Sequence, residues 1–553
     1  MISMKFSAII FFTLLSFSLQ AQTTPNPKTS NEPGRPRLVV GIVIDQMRYD
    51  YISRYNNKFS ENGFKKLIKQ GFNCKNTNYN YSPTYTGPGH ASIYTGTTPA
   101  FHGIVGNDWF VRNTNRLTYV TDDPTVRTVG VGSEKAGKMS PRNLLASTIG
   151  DELRLYSNLK SKVISIALKD RAAILPGGHL STGSYWFDSG SGNFISSTFF
   201  MKELPQWVND FNAQHLAGKY LSKPWNTLLP VGQYTESASD DNPYEGLYPG
   251  ETKPVFPHNL PAMYSKNDYG IIRSTPFGNS ITKDIALAAL KGENLGKGDF
   301  TDLLAISFSA TDYVGHKMGP QSVEIEDTYL RLDRDIAEIL NYLDKNYGKD
   351  NVLLFLTADH AAAYVPAQLM DNQMNAGYFD SKTYLDFLKG YLSKKYGDST
   401  LVSFAINNEL YLNHAAIGQK NLQLKEVEEE IASFSVTYNG IANAYTGYQL
   451  NGEVLKSKSA TLIQNGFNIK RSGDVALMLE PAWLEEAIPT GTTHGSTYAY
   501  DTQVPLLWYG WKIQPGYSSE AVDITDIAPT VASLLNIMPP NACIGKPIVK
   551  ITK

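Results

Sequence analysis

Six side chains of two kinds stand out in this sequence: the carboxylates Asp45, Asp312 and Asp359 and the imidazoles His316, His360 and His494. Each carboxylate follows an apolar run, in "LVVGIVID", "LLAISFSATD" and "LLFLTAD". His316 lies four residues after Asp312, His360 is next to Asp359, and His494 sits in "GTTHGS". Oxygen and nitrogen donors without a thiolate suit zinc and other borderline divalent ions better than calcium. Six ligands divide into two sets of three, each with a position left open. Paired metals of that kind clamp the attacking and leaving oxygens of an in-line displacement. Taken singly, each Asp reads as a helix cap and each His as a surface residue; their joint placement carries the argument.

A hydroxyl stands ready as nucleophile. In "YTGPGHASIYTG", Thr86 precedes Gly-Pro-Gly at the expected start of a helix, where unpaired amides and the positive dipole end favour an anion. The plain alternative is that Thr86 only N-caps that helix, with Pro88 in its first turn. In "ALKDR", Lys169 and Arg171 are expected on an extended segment, two apart and so on the same side, with Asp170 pointing away. An ammonium and a guanidinium fork facing one crevice would hold phosphoryl oxygens.

The elements that must bring these groups together are legible as short apolar runs. "RLVVGIVI", "KVISIAL", "DLLAISFSA" and "NVLLFLTA" are continuous rather than alternating, as in strands buried on both faces, and "VPLLWYG" at Val504–Gly510 fits the same pattern. Between them, Ile325, Tyr329, Leu332, Ile336, Ile339 and Leu343 fall on one helical face. Alternating strands and helices predict an α/β fold, a mostly parallel central sheet with helices on both faces. Ligands of such sheets bind beyond the carboxyl ends of the strands, where Asp45, Lys169, Arg171, Asp312 and Asp359 all fall.

The rest of the chain sets boundaries. Residues 1–21 carry Lys5, the apolar run "FSAIIFFTLLSFSL" and a small-residue site at Ala21, the pattern of a cleaved export signal. Residues 22–37, rich in proline and polar residues, read as a tether. Core segments are expected at 38–176, 301–365 and 488–553, interrupted by insertions at 177–300 and 366–487. Formal net charge of −2 gives no sign of a nucleic-acid partner. No span is expected in the mature chain, which is taken to be a monomer. Cys74 and Cys543 leave two options open, one disulfide or two free thiols.

On "IDQMRYDY", "TGPGHASIYTG", "GIVGNDWF", "LKDR", "TDYVGHKMG", "TADH" and "THGS", the chain resembles the alkaline phosphatase superfamily, and most closely its phosphate-irrepressible bacterial branch. The resemblance spans about Leu38 to Pro547. It implies an alkaline-phosphatase-like fold whose insertions form cap-like segments, and two Zn(II) ions per chain. One is held by Asp312, His316 and His494, the other by Asp45, Asp359 and His360 together with Thr86. It implies that Thr86 attacks phosphorus to give a phosphothreonine. Asn107, Lys169 and Arg171 then contact phosphoryl oxygens of small phosphorylated substrates. Better-known alkaline phosphatases use serine and a third, magnesium site; Lys169 stands in for that charge, so no magnesium is expected. No oxidisable Cys or Ser occupies position 86, which disfavours a sulfatase. The competing expectations are a phosphodiesterase or nucleotide pyrophosphatase of the same superfamily, and an exported metal-binding protein without turnover.

Overall fold

The structure is a computed structural model that describes residues 34–485 and 489–552. The expected export signal, residues 1–21, lies outside the described residues. At the other end of the tether, the described chain is already tied down at its last residues. Thr301 Oγ1 donates to the Pro36 carbonyl, Arg37 N–H to Asn351 O, and Asp302 N–H to Arg37 O.

The apolar runs become the centre of one 11-stranded sheet. Its labelled strands are β1 (Leu38–Ile44), β2 (Phe72–Asn78), β3 (Val163–Ala167), β4 (Gly183–Asp188), β5 (Asn193–Ser197), β6 (Asp302–Phe308), β7 (Val352–Thr357), β8 (Leu506–Gly510) and β9 (Gly516–Asp523). Strands β4, β3, β6, β1 and β7 lie side by side in that order and all run parallel. Every residue of these five is buried, which is why they carry no polar alternation. The register aligns Ile44 with Phe308 and Val43 with Thr357. The strands therefore end level, and Asp45, Ser309–Asp312 and Asp359 leave from one rim. Strand β8 is equally buried but antiparallel to β7 and β2.

Three helices deliver site residues to that rim. Helix α1 (Thr86–Thr95) is buried throughout and packs against α2 (Asp170–Gly177). Helix α3 (Ala310–Met318) follows β6 and packs on α4 (Val323–Asn346). Ser322 caps α4 by accepting from Ile325 N–H, and the six expected core positions of that helix are all buried.

Residues 177–300 are not wholly an insertion. β4 and β5 extend the central sheet, and Phe277–Gly292 is a helix with a buried face packed on α4. Aromatics in "SYWFD" concealed a sheet strand that the Val/Ile/Leu pattern did not reveal. Residues 366–485 contain a second, four-stranded sheet. Val402–Ile406, Glu409–Leu412, Val475–Leu479 and Ile441–Thr446 pair antiparallel in that order. They share a core of their own with Tyr384, Leu388, Val427 and Ile431. Cys74 and Cys543 are both free thiols.

Candidate active site and metal centre

Asp45, Asp312, Asp359, His360 and Lys169 are each at most 4% exposed, and His316 and His494 border them. Two sets of side chains bring ligand atoms within 4.8 Å of one another: Asp312, His316 and His494; and Asp45, Asp312 and His360. The first is the trio expected from the sequence. In the second, Asp312 stands where Asp359 was expected, because its place in the first turn of α3 puts it within reach of both groups. Asp359 borders the second group, with Oδ2 3.6 Å from His360 Nε2. His316 Nε2 lies 3.1 Å and His494 Nε2 3.7 Å from Asp312 Oδ1, and His360 Nε2 lies 3.5 Å from Asp45 Oδ1. The rings of His360 and His494 stack with centroids 3.5 Å apart.

The donor set fits a cation. Both oxygens of Asp45, Oδ2 of Asp359 and Nε2 of His360 are buried without a hydrogen-bond partner. Burying such groups without hydrogen bonds is costly, and the single Lys169 ammonium beside Asp45 leaves room for further positive charge. The histidines are oriented for it. Nδ1 of His316, His494 and His360 sits 2.8, 2.6 and 3.1 Å from the carbonyls of Thr492, Thr84 and Ala361. An Nδ1–H donated to a carbonyl leaves the Nε2 lone pair facing the cluster.

The electrostatics follow from burial and crowding. Burial, and then the Asp45 charge, push Asp359 well above the ordinary carboxylate range; burial and Asp312 raise Asp45. Burial would raise Asp312 too, but His316 and Lys169 outweigh it and hold it well below that range. Burial and the neighbouring His494 push His360 far down, and burial with His316 lowers His494 to about 3, so both rings are neutral and able to bind metal. His316 is raised: its pairing with Asp312 beats desolvation. A bound cation would take over that pairing.

Thr86 is the first residue of α1 and not its cap. Tyr85 holds the cap position, and no side chain caps the helix. Thr86 is 1% exposed, and its Oγ1 lies 3.4 Å from Lys169 Nζ. The first amides of the helix are less open than expected. Gly87 N–H donates to Asn107 Oδ1 at 2.9 Å, Pro88 has no N–H, and Gly89 N–H bonds to Tyr85 O. Asn107 is thereby turned so that its amide nitrogen faces away from Gly87. Gly89 is needed for close approach: a Cβ there would meet the Asp359 carbonyl at 2.4 Å.

Lys169 Nζ lies 2.5 Å from Asp312 Oδ2 and 2.7 Å from Asp45 Oδ2, the latter not in line for a hydrogen bond. Burial opposes its charge, but the two carboxylates prevail and keep the ammonium protonated beyond the ordinary lysine range. Arg171 is not on an extended segment. Lys169 has extended dihedrals and caps α2, and Asp170 opens the helix, so Arg171 sits in its first turn. Its Nη1 donates to Tyr119 OH at 3.0 Å, and Tyr119 OH donates to Asp170 Oδ1 at 2.5 Å.

Two residues of the site escaped the sequence reading. Gln46 has φ +63°, and its backbone N–H and side-chain amide donate to Asp359 Oδ1 and Asp312 Oδ1 at 3.1 and 2.9 Å. The absent side chain at Gly315 makes its room, since a Cβ there would meet Gln46 Oε1 at 1.9 Å. His90 lies in the quoted "TGPGHA", with Nδ1 2.9 Å from Thr86 O and 3.4 Å from Asp359 Oδ2, and Nε2 2.9 Å from Ser307 Oγ. Its place one turn after Thr86 was the available signal. For Gln46 there was none, because no side-chain pattern announces a left-handed backbone.

An α/β sheet with a carboxylate–imidazole cluster at the carboxyl rim of its parallel strands, closed by a helix-tip threonine, defines a class. The crystal structure of the alkaline phosphatase PafA shares this fold with TM-score 0.91 at 42% identity, over 94% of this chain and 99% of that one. The sequence pattern of the type I phosphodiesterase / nucleotide pyrophosphatase family matches residues 39–497. The chain belongs to that family, within the alkaline phosphatase superfamily. It is 44% identical to the alkaline phosphatase PhoV of Synechococcus elongatus, covering 97% of this chain and 96% of that one. It is also 45% identical to a protein of Myroides odoratus named a calcium-transporting ATPase, covering 93% and 94%. Among the described residues no helix is long and apolar enough to cross a membrane.

Proposed function

We propose that this protein is an exported, zinc-dependent alkaline phosphatase that hydrolyses phosphate monoesters through a phosphothreonine at Thr86. The observation that carries the reading is the buried set of donor atoms without a hydrogen-bond partner on Asp45, Asp359 and His360, with the Thr86 hydroxyl beside Lys169. Likeness to the alkaline phosphatases PhoV and PafA over nearly the whole chain supports it.

Asp312, His316 and His494 would hold one zinc, and Asp45, Asp359 and His360 the other. The two ions would supply positive charge to the phosphoryl oxygens and lower the proton affinity of the threonine hydroxyl. The chain's own residues do the rest. Oγ1 of Thr86 forms a bond to phosphorus as the ester oxygen leaves, and water later cleaves the phosphothreonine to release inorganic phosphate. Lys169, held protonated, and Arg171, braced by Tyr119, face the non-bridging oxygens, and the Asn107 amide donates to one of them. Positioning and charge are most of what phosphoryl transfer asks of a protein. A monoester dianion offers one more charged oxygen to these groups than a diester does. Lys169 supplies charge where better-known relatives place magnesium, so no magnesium is needed. Export would follow cleavage near Ala21.

The test pairs activity with metal content. Wild type should prefer a monoester over its matched diester by about a hundredfold or more in kcat/KM, the scale of one well-placed electrostatic contact. Thr86→Ala should lose about 10⁴-fold or more in kcat while keeping its zinc. Undiminished hydrolysis in that variant would overturn the nucleophile. Diester preference would instead favour the nucleotide pyrophosphatase reading, and zinc content with no turnover on either ester a binding protein.

A further inference from the structure

The segment leading into β8 holds a buried carboxylate that the proposed reaction leaves unused. Asp501 is 0% exposed. Its Oδ2 accepts three hydrogen bonds, from Gly495 N–H at 3.1 Å, Ser496 N–H at 2.8 Å and Ser496 Oγ at 2.6 Å. Gly495 has φ +127°, a region glycine enters without strain, so the chain turns directly after His494. The backbone carbonyl of Asp501 accepts Ala361 N–H at 2.9 Å, directly after His360. One residue thus ties the segment that carries His494 to the segment that carries His360, the two histidines whose rings stack. Two more bonds join these segments: Ala363 N–H to Thr493 O at 3.4 Å and Thr492 Oγ1 to Ala363 O at 2.6 Å. His316 is drawn in through its bond to Thr492 O.

We infer that Asp501 is a positioning residue for both metal groups: its carboxylate fixes the Gly495–Ser496 turn that aims His494, and its carbonyl keeps the His360 segment in register with it. The inference rests on the metal-dependent reading above. Asp501 makes no hydrogen bond to a donor atom of either group, so it acts through other residues. Three hydrogen bonds on one oxygen leave the turn little freedom. Oδ1 has no partner. An amide nitrogen can therefore stand in its place, and asparagine keeps an oxygen for all three donors. Leucine has similar bulk and removes all three.

The experiment measures the free zinc needed to half-fill the full-length protein, by elemental analysis against a zinc buffer. Wild type, Asp501→Asn, Asp501→Leu and Ser496→Ala are compared, with the melting temperature of each metal-free protein. Residues that orient metal ligands typically change affinity by about 10–100-fold. Asp501→Leu should raise half-filling zinc by about tenfold or more, and Asp501→Asn by less than about threefold. Ser496→Ala, which removes one bond, should raise it by about threefold. A lower metal-free melting temperature with unchanged half-filling in Asp501→Leu would mean a merely structural brace and overturn the inference. So would equal losses in the Asn and Leu variants. If Asp501→Leu does not fold, Ser496→Ala decides, and no change in it overturns the inference. A wild type that takes up no zinc overturns this inference and the proposed function together; normal zinc uptake by wild type with an unmoved Asp501→Leu sinks this inference alone.

Discussion

At the scale of single residues, Lys169 has the most to answer for. Its ammonium is shared between Asp45 and Asp312 and also faces Thr86. A lysine that only neutralised the acids would be dispensable once zinc is bound. A lysine that meets the substrate would not. Lys169→Ala should lower kcat/KM on a monoester by about 10²–10³-fold and on the matched diester by less than tenfold, with zinc content kept. Equal losses on both esters would remove it from substrate contact. His102 offers a separate test, away from the metal groups. It is fully buried, with Nε2 2.9 Å from Ser92 Oγ and Nδ1 accepting Ile104 N–H. Burial lowers it to about 3, against about 6.5 in an unfolded chain. Between those values the unfolded state takes up a proton that the folded state refuses. Its contribution is therefore complete above about pH 6.5 and is lost as pH falls towards 3, at up to about 1.4 kcal/mol per pH unit. Urea unfolding at pH 7 and pH 5 should show His102→Gln losing about 2 kcal/mol less on acidification than wild type.

At the scale of elements, α1 is set by what its glycines permit. Gly89 lets the helix lie against the chain at Asp359, the residue after the carboxyl end of β7. Gly89→Ala should destabilise the protein by about 1–3 kcal/mol through overpacking against backbone that cannot yield, and should weaken zinc retention. Gly390 is the control. It is exposed within the helix Ser381–Tyr396, and a Cβ there meets nothing within 4 Å. Gly390→Ala should stabilise by about 0.5–1 kcal/mol. Urea midpoints for the two variants should move in opposite directions. The parallel strands and α4 were readable because burial on both faces, or on one helical stripe, writes itself into Val, Ile and Leu spacing. β4 was hidden because its burial is achieved by Tyr185, Trp186 and Phe187. The antiparallel direction of β8 could not be read at all, since direction depends on what a strand pairs with. Arg171 was misplaced onto an extended segment because the extended backbone stops at Lys169 and α2 starts at Asp170, a boundary that no apolar spacing marks.

At the scale of the whole molecule, the site is a meeting of distant segments. Strand ends near residues 45, 169, 312 and 359 supply charge, and the strap at 491–501 closes over them. The charged residues at those ends were legible, because so many of them recur together at the ends of apolar runs that one sheet brings side by side. The braces were not: Gln46 and Asp501 act through backbone geometry and hydrogen bonds between segments hundreds of residues apart. The cysteines give a check on the fold as a whole. Cys74 is 0% exposed in β2, and burial pushes its thiol up to about 12. At pH 8 iodoacetamide should leave Cys74 of the native protein unmodified, while urea should expose two reactive thiols with no reductant added. A requirement for reductant would mean a disulfide that this fold does not contain.

The central claim is that Asp45, Asp312, Asp359, His316, His360 and His494 hold two zinc ions beside Thr86. Anomalous scattering from crystals of the purified protein, collected on both sides of the zinc edge, tests it most directly. Two peaks should appear, one among Asp312, His316 and His494, the other between Asp45, Asp359 and His360, each about 2 Å from its donor atoms. No zinc peak there, or a peak elsewhere with these residues still in contact only with one another and Lys169, would contradict the account.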